Sequence, residues 1–221
     1  MNYQELLNSE YVIDTYKKIE YLKKDFPVNH GFIHINHVID NAKRISKVFN
    51  FSKEDTELLL IAAVLHDIGY TVGRDEHAKN GRLLALEYLM NHSDIEQKNI
   101  KRICNAIASH GGKEKKDYRD NISIALILAD KMDFVKSRYD EKACQWLDKY
   151  KVFLTIENVS IERQDDTYGI IIKSTDADFE KHFCERSIYK KLLDIVNNIN
   201  NYTNYNIKIE FDKTDTIDKH I

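Results

Sequence analysis

The stretch Ala62-Ala63-Val64-Leu65-His66-Asp67-Ile68-Gly69 sets an imidazole and a carboxylate side by side at the end of an apolar run. A carboxylate there is costly to bury unless it is paired or bound to a metal. Neighbouring residues on a helix point about 100° apart, so the two can grip one ion only at a helix end or across a bend. Gly69 supplies such an end. Leu58, Ala62 and Leu65 recur at helical spacing upstream of it, and Ser52 with Asp55 three residues on makes a helix start.

The same pattern of a polar chemical group closing an apolar helix recurs outward from this point. His34 begins an amphipathic segment carrying Val38, Ala42, Ile45 and Phe49. Asp130 closes Leu126-Ile127-Leu128-Ala129. His77 opens a helix, and His110 ends one before Gly111-Gly112. A single helical histidine is more often a satisfied core or surface residue than a ligand. The set is what carries weight: imidazole plus carboxylate, without thiolate, suits Mn, Fe, Co, Ni or Zn. His30 and His37 bracket His34 and are alternatives to it if the register differs, with Val38 and Ala42 favouring His34.

These segments carry a resemblance. His34-Ile35-Asn36-His37-Val38, Leu65-His66-Asp67-Ile68-Gly69 and Ala129-Asp130-Lys131-Met132-Asp133 resemble, in that order, the signature of the HD-domain superfamily of metal-dependent phosphohydrolases. The resemblance covers about Asn29 to Arg138. It implies a helical bundle in which His34, His66, Asp67 and Asp130 hold a divalent ion. His77 and His110, with Gly81 four residues after His77, resemble the extra ligands of relatives that bind two ions, with Asp67 as the bridge. The cofactor expected is therefore one or two divalent transition ions (Mn, Fe, Co, Ni or Zn), with Mg also open. The Gly-Tyr-Pro segment of the cyclic-dinucleotide branch is missing, as is the acidic pair of the guanosine-tetraphosphate hydrolases after the His-Asp motif. No subfamily is assigned.

The chemistry expected is hydrolysis of a phosphate ester of a small molecule, a nucleotide among the candidates, through a hydroxide held at the metal centre. Asp67, Lys131 and Arg138 are the catalytic candidates. Lys131, Arg138, Tyr70 and His30 are the substrate-binding candidates, Tyr70 because many relatives place a substrate-facing Lys or His there. Lys113, Lys115 and Lys116 after His110, and Arg74 and Arg82 around the His77 helix, are weaker. Two alternatives use the same fold: a di-iron oxygenase with the same ligands, and a non-catalytic nucleotide sensor, against which the intact ligand set argues.

The character of the chain changes near Tyr150. Val152, Leu154 and Ile156, then Val159 and Ile161, predict a strand bent at Asn158. A polar turn over Gln164–Thr167 leads to a second, β-branched strand over Tyr168–Ser174, making an antiparallel hairpin. One helix is expected over Phe179–Ile199, with Tyr168, Phe179, Phe183 and Tyr189 as core, then a third strand over Asn206–Phe211, all in an antiparallel sheet. The segment from Lys213 to Ile221 is polar and expected to fray. The fold class is mainly α: a helical HD-type unit over 1–148 and a small α+β unit over 149–221.

Composition bounds the partners. The chain has 221 residues, a net charge of -3 and only one proline. That balance argues against general nucleic-acid binding, which wants a basic excess. No apolar run reaches the ~18 residues of a membrane span, and the N-terminal stretch has no signal-peptide character. Cys104, Cys144 and Cys184 are scattered and odd in number, which predicts reduced thiols and a cytoplasmic setting. The partner expected is a small phosphorylated substrate, with a homo-oligomer left open.

Overall fold

The computed structural model describes residues 1–111, 117–141, 144 and 147–213. Gly112, Lys113, Lys115 and Lys116 lie outside the described residues, as does 214–221. The chain opens with α1 (Tyr3–Leu7) and α2 (Glu10–Lys23), followed by α3 (Phe32–Val48) and α4 (Lys53–Leu65). A 3₁₀ turn (Ile68–Thr71) leads to α5 (His77–His92), α6 (Gln97–His110) and α7 (Asn121–Lys131). Side chains cap several starts: Asn2 forms a capping box with Glu5, and Ser9, Ser52 and Asp120 each accept a backbone N–H from the first turn.

Two helices are apolar nearly all round and form the centre. Every residue of α4 from Leu58 to Leu65 is buried, and so is α7 from Ile122 to Asp130. A helix without a polar face must be covered on all sides. Here α3 and α6 pack against both α4 and α7, and α5 packs on α6 and on the 3₁₀ turn. The ends of α4 and α7 therefore meet inside the bundle, and the acids that close them are buried together.

Beyond residue 147 the first expected strand is corrected. Asp148–Lys151 is a short helix, α8, and Val152–Thr155 is a 3₁₀ turn, so β1 begins only at Ile156 (Ile156–Gln164). Adjacent Val152 and Phe153 are both buried, which a one-faced strand does not allow. The Phe153 ring stacks on Tyr139 with centroids 4.8 Å apart. The expected bend at Asn158 is present as a register shift between Ile156 and Asn158.

β1 pairs antiparallel with β2 (Thr167–Ser174) through a turn in which Asp165 takes φ 52°. β3 (Ile207–Lys213) pairs parallel to β2, so the sheet is mixed rather than antiparallel. A parallel neighbour needs a crossover. It is made by two helices in place of the single one expected: α9 (Phe179–Cys184) and α10 (Ser187–Tyr202), separated where Arg186 turns extended. Phe183 anchors this corner against Phe134, Phe153 and Tyr189. Lys213 closes β3 rather than starting a frayed tail.

The C-terminal elements lie on the helical ones. Arg44 of α3 donates to the Val159 carbonyl at 3.3 Å. The far end of α10 meets the start of α7, where Tyr202 stacks on Tyr118 and the Tyr205 hydroxyl donates to Asn121 at 3.5 Å. The near end of α10 reaches a cavity that the last turn of α7 also lines. The two helices therefore run antiparallel. Among the described residues no helix is long and apolar enough to cross a membrane.

Candidate metal centre

Helix α4 stops at Leu65, and the backbone of Asp67 has left the helical region at φ -102°, ψ 3°. That break lets His66 and Asp67 face one point. His66 Nε2 lies 3.3 Å from Asp67 Oδ2. His34, in the first turn of α3, brings its Nε2 within 3.1 Å of His66 Nε2, 3.4 Å of Asp67 Oδ2 and 3.5 Å of Asp130 Oδ1. The other oxygen of Asp67 faces a second pair: His110 Nε2 at 3.3 Å and His77 Nε2 at 3.8 Å. The carboxylate thus divides two sets of imidazoles, one on each oxygen.

The first turn of α5 reaches this point through a glycine contact. A Cβ on Gly69 would stand 1.9 Å from the His77 carbonyl oxygen and 2.4 Å from the Gly81 nitrogen. Only a residue without a side chain lets the His66-Asp67 turn and α5 approach so closely. The Gly81 expected from the resemblance is a milder case: a Cβ there would stand 3.2 Å from the His66 carbonyl oxygen and 3.3 Å from the Ile107 side chain.

Backbone carbonyls set the tautomers. Nδ1 of His66 donates to Ala63 O (2.8 Å), of His77 to Arg74 O (2.9 Å) and of His110 to Ile107 O (2.6 Å). A carbonyl can only accept, so each Nδ1 carries the proton and each Nε2 presents its lone pair inward. His34 does the same through Asp133, with Nδ1 2.5 Å from Oδ2. Two lone pairs 3.1 Å apart on His34 and His66 repel unless a cation or a proton lies between them.

The electrostatics make the same demand. Asp67 and Asp130 are almost wholly buried, yet both are held well below the ordinary carboxylate range. Burial opposes their ionisation. The positive character of His66 overcomes it for Asp67, and Lys131, which pairs with Asp130, does so for that acid. Burial pushes His66 down, but Asp67 and Asp130 outweigh it and raise it, so a proton goes where a cation would otherwise sit. His110, under the same burial, is pushed down to about 4. The residues fit a divalent transition ion: imidazoles with inward lone pairs and two buried, ionised carboxylates that draw positive charge to the point between them.

Mutually close donor groups form three overlapping sets: His34, His66 and Asp130; His66, Asp67 and His110; and His30, His34 and Asp67. His77 meets Asp67 but belongs to none of them. His30, expected at the substrate, comes within 3.6 Å of Asp67 Oδ2 through Nδ1, an atom with no hydrogen-bond partner. Burial pushes His30 down to about 4.

A cavity of about 430 Å³ opens over Asp67, Asp130 and His77. Tyr70, Lys131, Arg138 and Arg74 line it, whereas Arg82 is exposed on α5 and does not. Tyr70 stacks on the His77 ring at 4.3 Å. Arg138 is tied down: it donates to Asp133 O at 2.5 Å and to Asn29 O at 3.3 Å. Three participants were not read from the sequence. Asp133 holds both His34 and His37, the latter at 2.8 Å, which makes His37 a support rather than an alternative to His34. Its signal was an acid three residues after Asp130 between the apolar Met132 and Phe134. Ile188 and Lys191 of α10 also line the cavity, and no local pattern marked them.

Residues 31–136 match the HD domain family, so this segment is an HD domain. Family and donor clusters together point to a metal-dependent hydrolase. A similar solved structure is that of a predicted HD superfamily hydrolase from an uncultured Thermotogales bacterium. It is 20% identical over 70% of this chain and 93% of that one, with a TM-score of 0.46. No curated protein matches the chain.

Proposed function

We propose that the protein is a metal-dependent phosphohydrolase that cleaves a phosphate ester of a small molecule, a nucleotide among the candidates. In this reading His34, His66, Asp67 and Asp130 hold one divalent ion, and His77, His110 and the second oxygen of Asp67 hold another. Bound there, such ions lower the pKa of water to about 7 and polarise phosphoryl oxygens. The chain's own groups do the rest. Lys131 and Arg138 put positive charge on the cavity wall, where the transferring group gains negative charge. Tyr70, packed on His77, shields that side of the centre from water. His30 offers a neutral, unpartnered Nδ1 to an ester oxygen. The observation that carries the reading is the division of Asp67 between two imidazole pairs whose Nε2 lone pairs all point inward. The reading takes 1–148 as the metal-binding unit and the cytoplasm, with its reduced thiols, as the setting.

The test is elemental analysis of the purified protein, then a phosphatase screen over nucleotides and sugar phosphates with Mn²⁺, Co²⁺, Ni²⁺ and Mg²⁺. Bound transition metal with turnover of phosphate esters is expected. Two irons with oxygen consumption and no ester cleavage would overturn the reading in favour of the oxygenase. Nucleotide binding without turnover under any metal would favour the sensor.

A further inference from the structure

Cations gather at the mouth of the cavity from elements that are far apart in sequence. Arg74 comes from the turn before α5, Lys191 from α10, and Lys23 from the last turn of α2. Arg74 and Lys191 line the 430 Å³ cavity itself. Lys23 lines a neighbouring chamber of about 290 Å³ that shares His30 and Arg138 with it. The two spaces therefore adjoin along those two side chains.

Lys23 and Arg74 are held together in an unusual way for like charges. The Lys23 ammonium stands 5.0 Å from the centroid of the Phe26 ring, and the Arg74 guanidinium 5.2 Å from the same centroid. Lys23 also lies 4.6 Å from the Tyr70 ring, which itself packs on His77. Burial and the nearby Arg74 both push Lys23 down. Among the described residues neither cation forms an ion pair with a carboxylate. Of the nearby acids, Glu20 accepts the Phe32 N–H at 2.9 Å, Glu76 pairs with Lys79, Asp140 on the wall of the Lys23 chamber has contacts of its own, and Asp67, which attracts Lys23 from the metal centre, faces its imidazoles. Asp75 lines the cavity and has contacts of its own. Aromatic faces steady the two cations but do not cancel their repulsion. An anion seated between them would.

We infer that Lys23 and Arg74, with Lys191 beside the same opening, form a second anion subsite, and that the substrate carries two phosphoryl groups, one over Asp67 and Asp130 and the other at this mouth. The inference rests on the phosphohydrolase reading for the first group only. A single phosphate monoester is satisfied at the centre by Lys131 and Arg138 and leaves Lys23 and Arg74 uncompensated. A diphosphate or a bisphosphate engages both sets.

Inorganic phosphate and inorganic pyrophosphate, titrated calorimetrically into the full chain loaded with Mn²⁺, test this directly. Wild-type protein is expected to bind pyrophosphate at least about tenfold more tightly than phosphate, and the preference should shrink as salt is raised. The double variant Lys23→Met, Arg74→Met is expected to lose about 10- to 100-fold in pyrophosphate affinity and less than about threefold in phosphate affinity. Arg74 is exposed and Lys23 half-buried, so folding is checked by thermal melting and is expected to hold. Equal losses for the two anions, or none for pyrophosphate, would overturn the subsite. The salt dependence of the wild type decides independently of the variant: a preference that does not respond to salt also overturns it. Hydrolysis of p-nitrophenyl phosphate by the wild type is read separately. Its failure strikes the phosphohydrolase reading and leaves the anion selectivity standing, and the converse result separates them the other way.

Discussion

In the helical part, three of the imidazoles that face Asp67 are fixed locally: His66, His77 and His110 each donate to the carbonyl three residues earlier. In the part after residue 147, position depends on distant partners instead. The Val152–Thr155 turn is held by Tyr139 and Phe183, β3 by β2, and α10 by α7. The first arrangement is rigid and can be written in a few consecutive residues. The second follows from packing and cannot. The donor groups around Asp67 sit on the locally determined part, and among the described residues the packed part contributes to the cavity only through Ile188 and Lys191. If this contrast is right, substitutions in the first part should change metal content, and those in the second should change affinity for substrate.

The largest effect is expected at Asp67, whose two oxygens serve both pairs. Asp67→Asn keeps the shape and removes the charge. Metal per chain should fall to a trace, and ester turnover by about 10³-fold or more, the scale of losing a group that stabilises the transition state. A variant that keeps its metal, measured by elemental analysis, would break the contrast at its root.

Gly69→Ala comes next. The added methyl meets the His77 carbonyl at 1.9 Å and the Gly81 backbone at 2.4 Å, and backbone cannot move aside as a side-chain tip can. Overpacking of this kind costs about 1–3 kcal/mol. A lowered melting temperature is expected, with loss of the ion that depends on His77. Full metal content with an unchanged melt would show that α5 is not positioned by this contact.

Asp133→Asn tests His34, the one imidazole of the proposed ligand set that is not fixed by its own backbone. Asp133 orients His34 and also receives His37 and Arg138. Removing such a partner typically costs 10- to 100-fold in metal affinity or activity, so about that loss is expected in a competition titration with a chelator. Unchanged affinity would mean that packing alone holds the His34 ring.

The contrast also explains what the sequence disclosed. His34, His66, Asp67, His77, His110 and Asp130 could be read because each closes or opens an apolar helix, where a polar group stands out. The helix ends at Ser52 and Gly111 were legible for the same local reason. Val152, Leu154 and Ile156 misled because alternation over so few residues fits a strand as well as a 3₁₀ turn. The burial of adjacent Val152 and Phe153, set by Tyr139 and Phe183, decides between them. The parallel pairing of β3 carries no local mark, since one alternating segment serves either orientation. Asp133 sat inside a quoted motif but needed the fold to bring His34 and His37 to it, and Lys191 needed α10 to lie antiparallel to α7.

The smallest effect is expected at Lys191, and it asks whether the packed part touches substrate at all. The side chain is exposed on α10 and forms no ion pair among the described residues, so replacing it leaves no buried charge stranded. It is also far in sequence from every group facing Asp67, so metal per chain should stay as in the wild type. Exposed charge pairs contribute about 0.2–1 kcal/mol, which sets the expected rise in KM for a phosphorylated substrate at about two- to fivefold in Lys191→Met. The effect should appear in KM rather than kcat, because the residue lies at the opening and not over the reacting phosphorus. Lys191→Arg should restore most of it, and raising the salt should narrow the gap between wild type and Lys191→Met, as screening of an exposed charge requires. An unchanged KM would confine recognition to the helical part and reduce α10 to a packing element. A loss of metal instead would mean that the C-terminal helix holds the end of α7 in place, and the division between the two parts would fail.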